Sequence, residues 1–216
     1  LTIGVPEDYA VPYLAPVLRD FAQRHAGVEL SLVCEQSTLL IPRVLKGEVD
    51  LAVATRDRAN RGRPLFGEPL VWAAPARFEA WRGSPLAIAI YETGSSARTA
   101  ALAALRAQRK PYRVVCESAS PAGMLAAVEA GLAVALFTRC SVPPGFEILG
   151  RKHGMPPLPV LPVVLLRSRA SAGALAADAM EEQVMRTLGK RRAVGGLVEN
   201  PLPRVRPAVP ARFSEG

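Results

Sequence analysis

The sequence has 216 residues, half of them apolar, which is enough for one ordinary domain or two small lobes around a sizeable core. No apolar stretch approaches the roughly 18–20 residues that a helix needs to cross a bilayer, and no signal peptide is visible. We therefore expect a globular, cytoplasmic protein with no membrane association.

The formal charge of +8 is distributed unevenly along the chain. Residues 190–216 carry six lysines and arginines against two glutamates, so half of the excess charge lies there. The rest of the chain lacks the concentrated basic stripe typical of nucleic-acid binding, and its aromatic residues are too sparse for a base-stacking platform. Residues 190–216 are rich in proline and arginine without an apolar period, which predicts a flexible tail.

Three cysteines, Cys34, Cys116 and Cys140, are widely spaced and form no CxxC pair. This spacing disfavours a zinc site or a thioredoxin-type motif, and it predicts free thiols in a reducing compartment with no metal and no cofactor. A redox switch between Cys116 and Cys140 is the less favoured interpretation, because buried apolar thiols are commoner.

Hydrophobic periodicity in the first part of the chain predicts the order β-α-β-α-β, whose crossovers make the strands parallel. The three strands are predicted at residues 2–5, 28–33 and 49–54. Ser37 or Thr38 is predicted to cap the second helix, which ends at Gly47. Pro16 and Pro42 fall inside the two helical patterns and are tolerable only near a first turn, so the helix starts stay open.

The same order of elements returns in the second part of the chain. Strands are predicted at residues 86–91, 113–116 and 133–137. Ser95 or Ser96 is predicted to cap the first helix, and Ser118 or Ser120 the second, with Pro121 in its first turn.

Two apolar, strand-like segments connect the units. Residues 69–74 can lead from the first unit to the second, and residues 163–166 can lead back to the first, where a closing helix is predicted at 172–188. The sequence predicts an α/β fold of two Rossmann-like lobes that are joined by two crossover strands and separated by a cleft. Residues 1–71 with 162–189 form the predicted lobe I, and residues 72–161 form lobe II.

Ligands of open parallel sheets bind outside the carboxyl ends of the strands, where helix N-termini offer unpaired N–H groups. Hydroxyl-bearing segments follow four strands in this way, and strand ends complete a rim, which predicts a site for a small polar molecule. The candidate effector-binding residues are Glu7, Asp8, Tyr9, Ser37, Thr38, Thr55, Thr93, Ser95, Ser118, Ser120, Thr138 and Arg139.

Two alternatives stay open at these positions. Any single serine or threonine before a helix can be an ordinary N-cap. The charge of the effector is undecided. Arg98 and Arg139 favour a carboxylate, whereas acidic residues near the helix starts favour a cationic group if several of them face the cleft, namely Glu7, Asp8, Glu35, Glu92 and Glu117.

Several segments, in the right order, resemble the effector-binding domain of LysR-type transcriptional regulators. The opening reads LTIGVPEDYAVPYLAPVLRDFAQRHAGVELSL, and the following KGEVDLAVA is similar to the family's Gly-Glu-Leu-Asp-Leu-Ala signature, with Val49 in place of leucine. Later segments similar to the family read SPAGMLAAVEAGLAVALFTR and LPVLPVVLLRSRASAGALAADAMEEQV. The resemblance covers residues 1 to about 188, with Cys34 and Glu35 standing where the family commonly has an acidic residue and glycine.

The resemblance implies a fold like that of type 2 periplasmic binding proteins, with a small-molecule effector in the interlobe cleft. It also implies a helix-turn-helix domain outside this chain, through which alone promoter DNA would be bound. Effector domains of such regulators pair with themselves, commonly within a homotetramer.

Two other functions fit the same fold. A small lyase or transferase would need a positioned base, nucleophile or metal, whereas the sequence has only His25 and His153 and none of the common catalytic motifs. A solute-binding receptor of a transport system would need a secretion signal or a lipidated cysteine. We therefore predict a sensor rather than an enzyme, in which the effector shifts the population of two lobe arrangements.

Overall fold

A computed structural model describes residues 1–189, so the predicted tail at 190–216 lies outside the described residues. Within residues 1–189, nine strands form one mixed sheet in the order β2-β1-β3-β9-β4-β7-β5-β6, with β8 paired to β4. The strands are β1 (Thr2–Val5), β2 (Ser31–Cys34), β3 (Leu51–Thr55), β4 (Arg63–Pro75), β5 (Leu86–Tyr91), β6 (Tyr112–Ser118), β7 (Val134–Thr138), β8 (Phe146–Leu149) and β9 (Val160–Arg167).

Helices cover the faces of this sheet. The first begins as α1 (Glu7–Tyr9), continues as a π-helical segment (Ala10–Leu14) and ends as α2 (Ala15–Arg24). The others are α3 (Ser37–Lys46), α4 (Ser96–Ala107), α5 (Pro121–Glu129) and α6 (Leu175–Leu188).

The sheet divides into two lobes of the same design. In the first lobe β1 pairs in parallel with β2 and β3, and β9 runs antiparallel to β3. In the second lobe β5 pairs in parallel with β6 and β7, and β4 runs antiparallel to β7. Strand β4 belongs to both, because residues 63–69 pair with β9 and residues 70–73 pair with β7. The predicted fold class is therefore confirmed, whereas the residue limits of the two lobes stay a prediction.

The core follows from the alternation of side chains along buried parallel strands. In β3, Leu51 and Val53 pack with α2 and α6, whereas Ala52 and Ala54 pack on the opposite face with α3. A third cluster fills the second lobe around the buried Trp72. Each lobe therefore has its own core, and β4 and β9 connect the two.

Prolines shape the helices differently from the prediction. Pro16 lies in the first turn of α2, but Pro42 lies inside α3, so the expectation that both lie near a first turn was wrong for Pro42. Pro12 lies in the π-helical segment. Since proline has no N–H and its ring clashes with the carbonyl four residues earlier, Pro12 and Pro16 disfavour regular α-helix there, which accounts for the wider π turn.

Several strand limits differ from the prediction. Strand β2 begins at Ser31 rather than at residue 28, and β4 is longer than the predicted 69–74. Strand β8 was not predicted, because four residues between Pro/Gly-rich turns carry too short a pattern. Within residues 1–189 it pairs with β4 alone, from Trp72 opposite Leu149 to Pro75 opposite Phe146.

Candidate functional site

A cleft of about 500 Å³, counting the part open to solvent, lies between the lobes at the carboxyl ends of the strands. Both lobes and the crossover strand β9 contribute to its walls, as expected for a ligand site in an open α/β sheet. Its lining consists of Pro6, Asp8, Tyr9, Gln36, Ser37, Thr38, Thr55, Tyr91, Ser95, Ser96, Ala97, Thr138 and Leu161.

The N-terminus of α3 forms one wall of the cleft. Gln36 is its N-cap, and the carbonyl of Gln36 accepts hydrogen bonds from the amides of Leu39 and Leu40, each at 2.9 Å. The N–H groups of Ser37 and Thr38 come before these bonds, so they have no partner within the helix. They are available to an acceptor group in the cleft.

The N-terminus of α4 forms the opposite wall. Ser95 is its N-cap, and the Ser95 hydroxyl accepts a hydrogen bond from the Arg98 amide at 3.4 Å. The first-turn amides of Ser96 and Ala97 have no intrahelical partner. Two helix N-termini from different lobes therefore border one cleft.

Ser37 has a role other than the predicted cap. Gln36 has the extended backbone of an N-cap, with φ −66° and ψ 153°, so Ser37 is already the first helical residue. The Ser37 hydroxyl accepts a hydrogen bond from the Thr55 amide at 2.8 Å, which joins α3 to the end of β3. The expectation that Ser37 or Thr38 caps α3 was wrong, because the chain turns into the helix one residue earlier.

Three hydrogen bonds with nitrogen or oxygen donors cross the cleft and link the lobes, and the Cys140 thiol adds a weaker one to the Asp8 carbonyl at 3.5 Å. Thr138 Oγ1 donates to Asp8 Oδ2 at 2.8 Å, and Ser120 Oγ donates to Glu7 Oε2 at 2.7 Å. Gln36 Nε2 donates to the carbonyl of Ala119 at 2.9 Å. These bonds stabilise the observed arrangement of the lobes, so any reorientation must break or replace them.

Asp8 is the one ionisable carboxylate in the lining. Burial raises the pKa of its carboxyl from 3.8 to about 6, and the charges of Glu68 and Glu7 act in the same direction. The hydrogen bond from Thr138 opposes the rise by stabilising the carboxylate. No lysine, arginine or histidine of residues 1–189 belongs to the lining.

Two tyrosines add hydroxyls to the cleft. Tyr9 Oη lies 3.2 Å from Thr55 Oγ1. The buried hydroxyl of Tyr91 has no hydrogen-bond partner among the described residues. Burial raises the pKa of both tyrosines, so both remain protonated and able to donate a hydrogen bond.

The twelve predicted residues separate into three groups. The structure brings seven of them together in the lining, namely Asp8, Tyr9, Ser37, Thr38, Thr55, Ser95 and Thr138. Glu7 and Ser120 join the lobes beside the cleft through their mutual hydrogen bond. Thr93, Ser118 and Arg139 are not in the lining.

These last three residues have other surroundings. The exposed Thr93 donates its amide to Glu117 at 3.2 Å. Ser118 forms a local turn, in which its hydroxyl donates to the carbonyl of Ser120 at 2.9 Å and accepts from the Ser120 amide at 3.1 Å. Arg139 is half-buried at the start of a 3₁₀ turn that follows β7.

The candidate residues leave out six that line the cleft, namely Pro6, Gln36, Tyr91, Ser96, Ala97 and Leu161. Tyr91 is the last residue of β5, so the strand-end rule that selected Thr55 and Thr138 selects it as well. Glu68 does not line the cleft but contacts the turn beneath Thr138, and only the fold reveals it.

The histidines and cysteines lie outside the lining of the cleft. His25 ends α2 and stacks on Phe21, and His153 Nε2 lies 2.9 Å from a carboxylate oxygen of Glu147. All three cysteines are free thiols. Within residues 1–189 there is no group of His, Cys, Asp and Glu side chains suited to a metal ion, and no helix is long and apolar enough to span a membrane.

The family model of the LysR substrate binding domain matches residues 1–189. The chain belongs to this family. The match confirms the resemblance that the sequence carries, from the opening strand to the closing helix. The matched range coincides with the described residues.

Named relatives are transcriptional regulators rather than enzymes. The HTH-type transcriptional regulator DgdR of Burkholderia cepacia is 32% identical over 166 residues, which are 76% of this chain and 56% of DgdR. PecT of Dickeya dadantii is 24% identical over 160 residues, 74% of this chain and 51% of PecT. The chain therefore spans about half the length of these relatives.

Solved effector domains share the fold. The regulatory domain of Synechocystis PCC6803 CcmR, in complex with 2-PG, superimposes with a TM-score of 0.72 at 18% identity and covers 89% of this chain and 99% of that one. The effector binding domain of QuiR, in complex with shikimate, gives a TM-score of 0.71 at 12% identity, over 89% and 98% of the two chains.

Proposed function

We propose that this domain senses a small polar molecule in the interlobe cleft and regulates transcription as part of a LysR-type protein. The observation that carries the proposal is the meeting of two helix N-termini, those of α3 and α4, at one cleft from opposite lobes. Such termini favour anionic or other hydrogen-bond-accepting groups, because their free N–H groups and helix dipoles act together.

The effector that fits this lining carries an acceptor group and a donor group. The acceptor meets the amides of Ser37, Thr38 and Ser96, and the donor meets Asp8. The buried hydroxyl of Tyr91 supplies one more hydrogen bond to the ligand. Shikimate, which is bound by QuiR, is a hydroxylated carboxylate and thus a molecule of this kind.

Sensing operates through the three interlobe hydrogen bonds. An effector shifts the lobes only if it binds two arrangements of the lobes with different affinity. A ligand group that hydrogen-bonds Asp8 or Gln36 competes with the interlobe bond of that residue, and it therefore creates such a difference. The domain performs no catalysis, and it transmits the shift to a DNA-binding domain outside this chain. The whole protein would act on promoter DNA in the cytoplasm.

Self-association of these domains would use exposed sheet edges. Strands β2 and β6 are the two ends of the sheet, and their side chains Leu32 and Val114 are 48% and 39% exposed. Open strands with exposed apolar side chains favour pairing with another chain. Analytical ultracentrifugation of the domain at increasing concentration tests this self-association. We expect a dimer, and a monomer at all concentrations would contradict the proposal.

A thermal-shift screen of carboxylates, amino acids, aromatic acids, phosphorylated metabolites and polyamines tests the sensing function. A ligand at about 100 times its Kd stabilises the native state by about 2.7 kcal/mol, which raises the Tm by roughly 5–10 °C for a domain of this size. We expect the stabilising compounds to be small anions that also carry a hydroxyl or amino group. Stabilisation by polyamines alone would contradict the proposed effector chemistry.

A further inference from the structure

Glu68 is a buried carboxylate at the hinge between the lobes. Its side chain is 1% exposed, and it lies on β4 where this strand passes from pairing β9 to pairing β7. No cationic side chain of residues 1–189 forms an ion pair with it. Its hydrogen-bond donors are neutral, because the Cys140 amide donates to Oε1 at 2.9 Å and the Tyr13 hydroxyl donates to Oε2.

Strand pairing explains why an acceptor is needed at this position. Leu70 of β4 pairs with Thr138, the last residue of β7, and two more steps along the antiparallel ladder would bring Glu68 opposite Cys140. The chain leaves the ladder there and enters a 3₁₀ turn (Arg139–Ser141), so the Cys140 amide has no strand partner. The carboxylate of Glu68 accepts that amide in place of a backbone carbonyl.

The turn held by Glu68, together with Thr138 before it, contacts Asp8 at two points. Thr138 Oγ1, just before the turn, donates to the Asp8 carboxylate at 2.8 Å. Within the turn, the thiol of Cys140 lies 3.5 Å from the backbone carbonyl of Asp8.

We propose that Glu68 is a positioning residue of the effector cleft, which fixes the Arg139–Ser141 turn so that Thr138 meets Asp8 across the lobes. Glu68 also binds Tyr13 in the π-helical segment, so one side chain joins that segment, the crossover strand and the turn. That the cleft binds an effector rests on the proposed function. The contact between Asp8 and Thr138 is a property of the domain alone and is measurable without a ligand.

The titration of the Asp8 carboxyl reports on this contact. Burial raises the pKa of Asp8, and the hydrogen bond from Thr138 lowers it. The ionisable groups around Asp8 come from four elements, and they are Glu7 and Tyr9 of α1, Glu68 of β4, Tyr91 of β5 and Cys140 of the turn. Removing the charge of Glu68 changes the Asp8 titration directly, so a single variant cannot isolate positioning.

A double-mutant cycle separates the two effects. The midpoint of the Asp8 carboxyl titration is measured by ¹³C NMR, without ligand, in the wild-type protein, Thr138→Val, Glu68→Met and the double variant. In the wild-type background Thr138→Val should raise the midpoint by about one unit, because it removes a hydrogen bond to the carboxylate. In the Glu68→Met background we expect less than half of that shift, since methionine has no oxygen to accept the Cys140 amide and the turn no longer holds Thr138 at Asp8.

The inference is overturned if Thr138→Val shifts the midpoint in the Glu68→Met background by half of its wild-type effect or more, or leaves the wild-type midpoint unchanged. Glu181→Met is the matched control, because this carboxylate contacts Arg63 and Arg167 instead, and it should leave the full shift. If Glu68→Met does not fold, Glu68→Asp replaces it. That variant keeps the charge but shortens the side chain by one methylene, so it cannot reach both donors, and the same half-shift threshold applies.

The outcome for Glu68 is distinguishable from the outcome for the proposed function. If the cycle shows coupling but no small polar molecule stabilises the domain, the sensing function fails while the link from Glu68 to Asp8 holds. If a ligand binds in the cleft and the cycle shows no coupling, the function holds and the positioning role of Glu68 fails.

Discussion

Replacing Asp8 by asparagine should stabilise the domain in a pH-dependent way. Burial raises the pKa of Asp8 from 3.8 to about 6 in the folded state. The native state therefore retains a proton that the unfolded chain has lost over this range, so the free energy of unfolding falls as the pH rises through it. With these two pKa values, proton linkage lowers the free energy of unfolding, relative to its value at low pH, by about 1 kcal/mol at pH 4.5 and by about 3 kcal/mol at pH 8.

Asparagine keeps an oxygen that can accept the hydrogen bond from Thr138, but it cannot ionise. The stability gain of Asp8→Asn over the wild-type protein should therefore grow by about 2 kcal/mol between pH 4.5 and pH 8, measured by urea denaturation at several pH values. Asp57→Asn, which loses an exposed pair with Arg61, serves as the control and should change stability by less than about 1 kcal/mol. A difference between Asp8→Asn and the wild-type protein that stays constant with pH would refute the burial of this carboxylate.

Three further substitutions test packing and hydrogen bonding around the cleft. Gly4→Ala should destabilise the domain by about 1–3 kcal/mol, because the new Cβ would lie 2.7 Å from Leu40 Cδ2, and an unchanged Tm would contradict this packing. Tyr91→Phe should leave stability equal or raise it by up to about 1 kcal/mol, since it removes a buried hydroxyl without a partner among the described residues. A clear loss on chemical denaturation would show that the hydroxyl is satisfied. Ser37→Ala should cost about 1–3 kcal/mol and speed hydrogen exchange at the Thr55 amide, which loses its acceptor, whereas unchanged exchange would argue against this bond.

The architecture could be predicted because hydrophobic periodicity and helix-end signals repeat in both lobes. Gly47, in the left-handed region at φ 83°, ends α3 as predicted, and the predicted caps Ser95 and Ser120 both accept a first-turn amide. Local chemistry fixes these features, so a single sequence reveals them. The parallel pairing of β1 with β2 and β3, and of β5 with β6 and β7, followed from the crossover rule.

The details that were missed depend on tertiary contacts. The sequence PLFGEPL hides the length of β4, because proline and glycine read as loop, whereas pairing with β9 tolerates a register shift between Pro64 and Phe66. Glu68 lies in the same stretch and reads as an exposed turn residue. Its burial follows only from the position where β4 crosses between the lobes, which no local pattern encodes.

The candidate site residues also divide into those that lie in the lining of the cleft and those that do not. Residues at strand ends, such as Thr55 and Thr138, lie in the lining because the carboxyl ends of the strands meet at one edge. Ser118 and Thr93 were chosen by the same hydroxyl-before-helix pattern, but they form local bonds within their own lobe. Spacing alone does not distinguish a hydroxyl that closes a turn from one that lines the cleft.

Blocking the cleft tests the central claim, that an effector binds between the lobes, most directly. Thr38→Trp places a bulky side chain at the α3 wall of the cleft, whereas Leu39→Trp on the same helix changes an exposed position outside the lining and is the matched control. Calorimetric titration with the compound that raises the Tm of the wild-type protein most is then compared for both variants. We expect at least tenfold weaker binding, about 1.4 kcal/mol, for Thr38→Trp and wild-type binding for Leu39→Trp. Equal affinity in Thr38→Trp and the wild-type protein would contradict binding in the cleft, because the ligand would then bind elsewhere.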